Sequence, residues 1–266
     1  MAENGAIRYF ENMPKKKSLV AITGASSGIG AAIAARFAKE GFPIVLLARR
    51  FARLQALKNE LTGNVFTYEL DVTDRDRVEK TISQIEKEAG PIGVLVNNAG
   101  VAFGLEPAYQ ANSEEWDQMI DTNIKGLLFC TRAVLPKMVE RNAGQIINLG
   151  STAGRYPYPG ANVYGATKAF VHQFSLNLRA DLLGKNIRVN CIEPGLVGGS
   201  EFSIVRFRGD AERAQNIYAG TQPLTPEDVA EVVYFCHALP PHVNINTVEF
   251  MPVVQASSHL AVHKEK

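Results

Sequence analysis

Only three cysteines, Cys130, Cys191 and Cys236, occur in 266 residues, far apart and in no CxxC pair. An odd number at such spacings speaks against a disulfide framework or a zinc site. They read as small buried hydrophobes in a reducing compartment. Long apolar runs are also missing: nothing approaches the roughly 20 residues of a membrane span. The cluster Lys15-Lys16-Lys17 precedes only Leu19-Val-Ala-Ile22, whereas a secretory signal needs an apolar stretch of about 7–15 residues. Excess charge of either sign is lacking as well. A net charge of +1 gives no nucleic-acid footprint and no pull toward an acidic partner. The remaining expectation is a cytoplasmic globular protein that handles small molecules without a metal, a nucleic acid or a membrane.

Alternation is what the chain has in quantity. Short apolar segments (Ser18–Thr23, Pro43–Ala48, Val65–Val72, Val94–Asn97, Gln145–Leu149, Ile187–Ile192, Val243–Val254) alternate with stretches of helical spacing. The helical stretches are Ile29–Glu40, Phe51–Leu61, Arg75–Glu88, Ser113–Arg141, Asn162–Leu183 and one opened by Thr225-Pro-Glu-Asp228. Ser113 is the expected N-cap of the longest. Thr225, with Pro226 at the first helical position and acids in the first turn, caps the last. Buried strands alternating with amphipathic helices call for a parallel sheet covered on both faces. The expected fold class is therefore α/β: a single doubly wound Rossmann-type domain, residues 18–266, with roughly seven parallel strands. Residues 1–17 form a peripheral extension. From Glu193 to Thr221 the pattern lapses, and residues 196–222 read as a substrate flap, since loops beyond about 12–15 residues in compact domains are usually functional.

The first strand runs into Thr23-Gly-Ala-Ser-Ser-Gly-Ile-Gly30. Glycines at 24, 28 and 30 allow a tight turn and a close backbone approach, and the following helix offers free N–H groups to an anion. Its place in the first strand–turn–helix unit points to a dinucleotide diphosphate, held by Gly24, Ser26, Ser27, Gly28, Ile29 and Gly30. The second strand ends Leu47-Ala48-Arg49-Arg50 with no carboxylate to hold ribose hydroxyls. Arg49 and Arg50 instead suit a 2′-phosphate, so NADP(H) is favoured over NAD(H).

Tyr164-Gly-Ala-Thr-Lys168 places a phenol and an ammonium at i and i+4 on one helix face. A tyrosine ordinarily titrates near 10, and a cation within ~4–6 Å favours its anion. Tyr164 is thereby a candidate general acid or base. Ser151, at the end of the fifth strand where open sheets bind ligands, is placed to bond the same reacting oxygen. Asn123 sits mid-helix, an unfavourable place for Asn; it is either an exposed polar residue or the holder of a water or backbone group in a proton relay.

Taken in order, TGASSGIG, Asn97-Asn-Ala-Gly100, Asn123, Ser151, YxxxK and Pro194-Gly195 resemble the short-chain dehydrogenase/reductase family over residues 18–254. The resemblance implies that Ser151 orients the substrate oxygen and Tyr164 passes the proton. It further implies that Lys168 lowers the tyrosine's pKa and binds the nicotinamide ribose, and that Asn123 holds a water linked to Lys168. Asp71 and Val72 would meet the adenine and Asn98 the ribose side. Pro194, Gly195 and Val197 would belong to the loop facing the nicotinamide. Longer stretches, among them STAGRYPYPGANVYGATKAFV and EPGLVGGSEFSIVRF, are similar to bacterial NADP-dependent 3-hydroxy acid dehydrogenases acting on serine, allo-threonine or malonic semialdehyde. Sulfoacetaldehyde reductases share much of this frame. One departure stands out: where the family commonly has a cofactor-capping Thr after Pro-Gly, the run here is Val197-Gly-Gly-Ser200, with Ser200 one residue out of register.

A small hydroxy acid or its aldehyde is anionic, so its site should hold a fixed cation. Arg206 in the flap and Arg155 just past Ser151 are the candidates, with Tyr156, Tyr158, Phe202 and Phe207 as walls. The resemblance also implies a homotetramer built on the Ser113–Arg141 and Asn162–Leu183 helices. A nucleotide sensor that keeps the fold without the chemistry is the rival of another class.

Overall fold

The computed structural model describes residues 17–257. The extension expected over residues 1–17 lies, Lys17 apart, outside the described residues. Strands β1 (Leu19–Thr23), β2 (Ile44–Ala48), β3 (Val65–Glu69), β4 (Ile92–Asn97), β5 (Gly144–Leu149), β6 (Ile187–Pro194) and β7 (Thr247–Phe250) form one parallel sheet ordered β3-β2-β1-β4-β5-β6-β7. The connecting helices are α1 (Gly28–Lys39), α2 (Phe51–Glu60), α3 (Arg75–Glu88), α4 (Ser113–Ile120), α5 (Leu127–Glu140), α6 (Asn162–Asp181), α7 (Phe202–Arg206), α8 (Ala211–Asn216) and α9 (Pro226–Ala238). This is the single Rossmann-type α/β domain read from the sequence.

Why the central strands read as continuous apolar runs is clear from β1. Val20 and Ile22 join one core with Phe37 of α1 and Val233 of α9, while Leu19 and Ala21 join the opposite core with Ile82, Val134 and Leu178. Side chains alternate across a strand, and both faces are covered, so both phases must be apolar. Phe37 packs edge-on against Phe42 and Tyr234, each at 5.4 Å between ring centres. Truncating such a residue to Ala costs about 3–5 kcal/mol. The sheet order reverses at β1, between β2 and β4, and a crevice opens beyond the strand ends there.

Several boundaries differ from the sequence reading, each for a local reason. Asn112, not Ser113, caps α4, its side-chain Oδ1 accepting from the Glu114 N–H at 2.9 Å. The expected Ser113–Arg141 helix is interrupted by a π-helical turn over Asp121–Gly126. The last strand is four residues rather than the twelve of Val243–Val254. On one side the Asn244 side chain takes over both backbone groups of Val189; on the other Pro252 has no N–H to give. The lapse at 193–221 is only partial: β6 runs to Pro194, and the flap contains α7 and α8, the latter capped by Asp210. The Thr225 N-cap is present as read, with Pro226 behind it, and Asp228 completes it into a capping box.

Candidate active site

The floor of the crevice is made of backbone. The Thr23 hydroxyl at the end of β1 accepts from the N–H groups of Asn98 and Ala99, each at 3.0 Å. In return, Asn98 Nδ2 donates to the carbonyls of Thr23 and Gly24 at 2.9 and 3.2 Å. These four bonds lock the first turn onto the end of β4. Gly24 has φ +65°, and a Cβ there would lie 2.9 Å from Ala99 Cα. At Gly30 a Cβ would lie 2.5 Å from the Gly24 carbonyl oxygen. Only glycine lets α1 start this close to the sheet. Ser27 caps α1 without a side-chain bond, which leaves the helix end open to the crevice.

The crevice encloses about 640 Å³. Of the residues read as cofactor ligands, Gly24, Ser26, Ser27, Gly28 and Ile29 line its first wall, Arg49 and Arg50 its outer rim. Asp71, Val72 and Asn98 lie along the β3 and β4 ends, and Pro194, Gly195 and Val197 close the far side. Gly30 stands behind the wall rather than in it.

Ser151, Tyr164 and Lys168 line the same crevice. Ser151 opens the turn after β5 and caps it, accepting from the Ala153 N–H at 3.1 Å. Lys168 lies one helical turn beyond Tyr164, with Nζ 5.9 Å from the tyrosine ring centre. That ammonium is buried, donates to the Leu149 carbonyl at 2.7 Å, and has its pKa pushed down to about 8 by burial. Tyr164 departs from the sequence expectation. Its phenol is pushed up to about 12, chiefly by burial and further by the Tyr158 phenol, while the Ser151 hydroxyl and the Arg206 charge pull it down. The cation that acidifies the tyrosine here is the flap arginine, not Lys168.

Asn123 is buried, not exposed. The π turn, a device frequent at functional sites, carries its side chain inward. There the amide oxygen accepts from the Val101 N–H at 2.8 Å, and the NH₂ donates to the Val101 carbonyl and the Thr167 hydroxyl. Asn123 thus ties the loop after β4 to the helix that carries Tyr164 and Lys168. Both amide protons are used within the protein.

The two candidate arginines part company. Arg206 is 7% exposed and lines the crevice. Nε donates to the Gly104 carbonyl at 3.0 Å and Nη2 to the Tyr158 hydroxyl at 3.1 Å. Its guanidinium carbon lies 5.5 Å from the centre of the Tyr164 ring. Among the described residues no carboxylate pairs with it. Arg155 is engaged elsewhere: its guanidinium pairs with buried Glu193 and reaches Glu249 at 3.3 Å, outside the lining of the crevice. Its place beside Ser151 in sequence does not carry it in, because the buried carboxylate of Glu193, on the neighbouring strand β6, claims it. His172 and Cys191 join that group, but Arg155 already supplies the cation, and burial pushes the Cys191 thiol up to about 12.

A profile described as short chain dehydrogenase matches residues 18–207. The chain belongs to the short-chain dehydrogenase family. It is 58% identical over 246 residues to the NADP-dependent 3-hydroxy acid dehydrogenase YdfG of Salmonella typhi, covering 92% of this chain and 99% of that one. The serine 3-dehydrogenase of Agrobacterium fabrum is 45% identical over 246 residues, covering 92% and 98%. A solved structure described as the closed form of serine dehydrogenase complexed with NADP+ superposes with a TM-score of 0.91 at 55% identity, over 93% of this chain and all of that one.

Ser200, already noted as one residue out of register, lines the crevice together with three residues that the sequence had not pointed to, Gln255, Tyr218 and Glu201. Ser200 lies across from the glycine turn: a Cβ on Gly28 would sit 3.0 Å from Ser200 Cβ. Gln255 closes the far side, accepting from the Leu196 N–H at 2.7 Å. Tyr218 of the flap bonds Ser203 and the Val197 carbonyl. Glu201 lines the crevice beside Arg50. Glu201 and Tyr218 lie in the stretch where helical periodicity fails, so no pattern announced them.

Proposed function

We propose that this dehydrogenase moves hydride between NADP(H) and a small 3-hydroxy acid or its semialdehyde, with Tyr164 exchanging the proton. The observation that carries the substrate half is Arg206: a buried guanidinium without a carboxylate partner among the described residues, lining the crevice next to Tyr164. An uncompensated buried charge is costly, and a substrate carboxylate would supply the missing anion in bidentate fashion. Being one of this family and alike over its length to NADP-dependent enzymes, the chain is an NADP-dependent oxidoreductase.

The crevice fits a dinucleotide. Gly24 and Gly30 leave no room for a Cβ, the open end of α1 offers amides for a diphosphate, and Lys168 keeps two N–H donors beyond the one given to Leu149. When bound, the nicotinamide supplies or accepts the hydride at the carbon bearing the oxygen. Ser151 donates to that oxygen and orients it. In the reducing direction Tyr164 gives it a proton; a phenol held near 12 is fully protonated at neutral pH and ready for this step. In the oxidising direction Tyr164 must accept the proton, which the neighbouring charge of Arg206 and the Ser151 hydroxyl assist. Asn123 acts at a distance, keeping α6 and the loop at Val101 in register.

The test is a panel of short aldehydes and alcohols read by NADPH absorbance: malonic semialdehyde, sulfoacetaldehyde and neutral methylglyoxal, with L-serine and 3-hydroxyisobutyrate in the reverse direction. Arg206→Gln should raise KM for the carboxylates by roughly 10–100-fold, as loss of charge-assisted bonds predicts, and leave methylglyoxal turnover nearly unchanged. An equal loss on charged and neutral substrates would remove Arg206 as the carboxylate ligand. Silence across the whole panel would favour the sensor reading.

A further inference from the structure

Glu201, the residue that leads into α7, sets its carboxylate on Arg50, one of the two arginines read as suited to a 2′-phosphate. Its Oε2 accepts from Arg50 Nη1 and from Arg53 Nη1, both at 2.7 Å. The rest of the Arg50 fork faces the glycine turn: Nη2 donates to the hydroxyls of Ser26 and Ser27 at 3.0 and 2.8 Å. Arg50 and Glu201 both line the crevice. The two guanidiniums hold the Glu201 carboxyl down near 2, so it is ionised wherever the protein is folded and working.

We infer that Glu201 is a specificity-determining residue of the cofactor site, an internal anion that occupies the Arg50–Arg53 pair until a 2′-phosphate displaces it. This rests on the NADP(H) reading above. The displacement is a contest of charge. A phosphate monoester carries about −1.5 to −2 near neutral pH and presents three acceptor oxygens, against one charge and two oxygens for a carboxylate. A 2′-hydroxyl carries no charge and has nothing with which to displace Glu201. Removing the internal anion should therefore help NADP(H) and leave NAD(H) alone.

The position of Glu201 in the chain gives the exchange a second consequence. Its neighbour Ser200 lies against Gly28 of the glycine turn, and its other neighbour begins the five-residue helix that ends at Arg206. Release of Glu201 from α2 thus frees the end of the flap nearest the cofactor while Arg208 still ties the flap to Glu115 of α4 at 2.6 Å. Occupancy of the phosphate pocket is communicated to the helix holding the substrate cation.

The experiment is calorimetric titration of the whole protein and its Glu201→Gln variant with NADP+, NAD+, adenosine 2′-monophosphate and adenosine 5′-monophosphate. In the variant NADP+ and the 2′-phosphate should bind about 3–10-fold tighter, the scale of two partly exposed ion pairs removed from competition. NAD+ and the 5′-phosphate should be unaffected. Unchanged or weaker NADP+ binding would overturn the inference, weaker binding meaning that Glu201 holds the arginines in place for the phosphate. Equal tightening of both dinucleotides would also overturn it, as a change in the flap alone. Should the unaltered protein bind NADP+ and NAD+ alike, the cofactor reading fails and the role of Glu201 with it; a clear NADP+ preference that the variant does not move sinks the role of Glu201 only.

Discussion

The two walls of the crevice are built from different materials. The wall formed by β1, α1 and the end of β4 is backbone held by backbone-directed side chains: Thr23 and Asn98 spend their polar atoms on main-chain groups, and Gly24 and Gly30 exclude any Cβ. The wall formed by the flap is side chains held by charge: Glu201 on Arg50 and Arg53, Arg208 on Glu115 and Glu106, Arg206 with no acid at all among the described residues. A diphosphate is the same in every dinucleotide, so a rigid template suits it. The substrate end must admit, enclose and release a small anion, and ion pairs near the surface, worth little each and screened by salt, let short helices do this. The difference teaches that binding and chemistry are separable in this molecule. Changes on the first wall should alter affinity for the dinucleotide, and changes at the junction of the walls should alter turnover.

The sharpest way to break that separation is Tyr164→Phe. It deletes one oxygen at the junction and no packing. Turnover should fall by roughly 10²–10⁴-fold, the usual contribution of a positioned acid or base, with NADP+ affinity and thermal stability retained. Loss of cofactor binding together with turnover would show that the two walls are one unit.

Lys168→Met comes next and should act in opposite directions on activity and stability. Burial lowers the Lys168 pKa from its ordinary 10.5 to about 8. The folded protein therefore binds fewer protons than the unfolded chain between about pH 8 and 10.5, and stability rises with pH across that window. Below pH 8 the buried ammonium carries its full penalty, about 3 kcal/mol at 1.36 kcal/mol per unit. The apolar variant should accordingly be more stable than the parent by something of that order at pH 7, and the advantage should shrink toward pH 10.5, as read by urea unfolding at both pH values. Activity should be lost at both. A variant less stable at pH 7 would mean that the bond to the Leu149 carbonyl outweighs desolvation.

How much of this was legible beforehand follows the same division. The backbone wall was readable because steric demands leave a residue-type signature: glycines at 24, 28 and 30, an arginine pair where an NAD site keeps an acid. The junction was readable because Ser151 follows closely on β5 and Tyr164 and Lys168 share one face of α6, elements whose periodicity is strong. What the tyrosine's pKa answers to was not, since Arg206 reaches Tyr164 only through the folded flap. Asn123 looked misplaced in a long helix, and the reason, a π turn that buries it against Val101, depends on a tertiary partner 22 residues away. Arg155 shows the reverse failure. Its neighbour in sequence suggested the site, but a buried acid on the adjacent strand, Glu193, claimed it. Sequence proximity places a backbone well and a long flexible side chain poorly.

The smallest effect expected is also the most specific to the flap wall. Arg208 is held bidentate by Glu115, Nε and Nη2 at 2.6 and 2.7 Å, with Glu106 at 3.4 Å. Because Glu115 belongs to α4 and Arg208 to the loop between α7 and α8, this contact pins the flap to the substrate side of the crevice. Exposed pairs are worth about 0.2–1 kcal/mol, so Arg208→Gln should raise KM by no more than about 5-fold and leave the melting temperature within a degree or so. Salt discriminates the cause. With a Debye length near 10 Å at 0.1 M and near 3 Å at 1 M, the parent enzyme's KM should climb with added salt toward that of the variant, whose own KM should be flatter. If parent and variant respond to salt alike, the flap is held by its apolar contacts, and the contrast between a backbone wall and a charged one loses its second half.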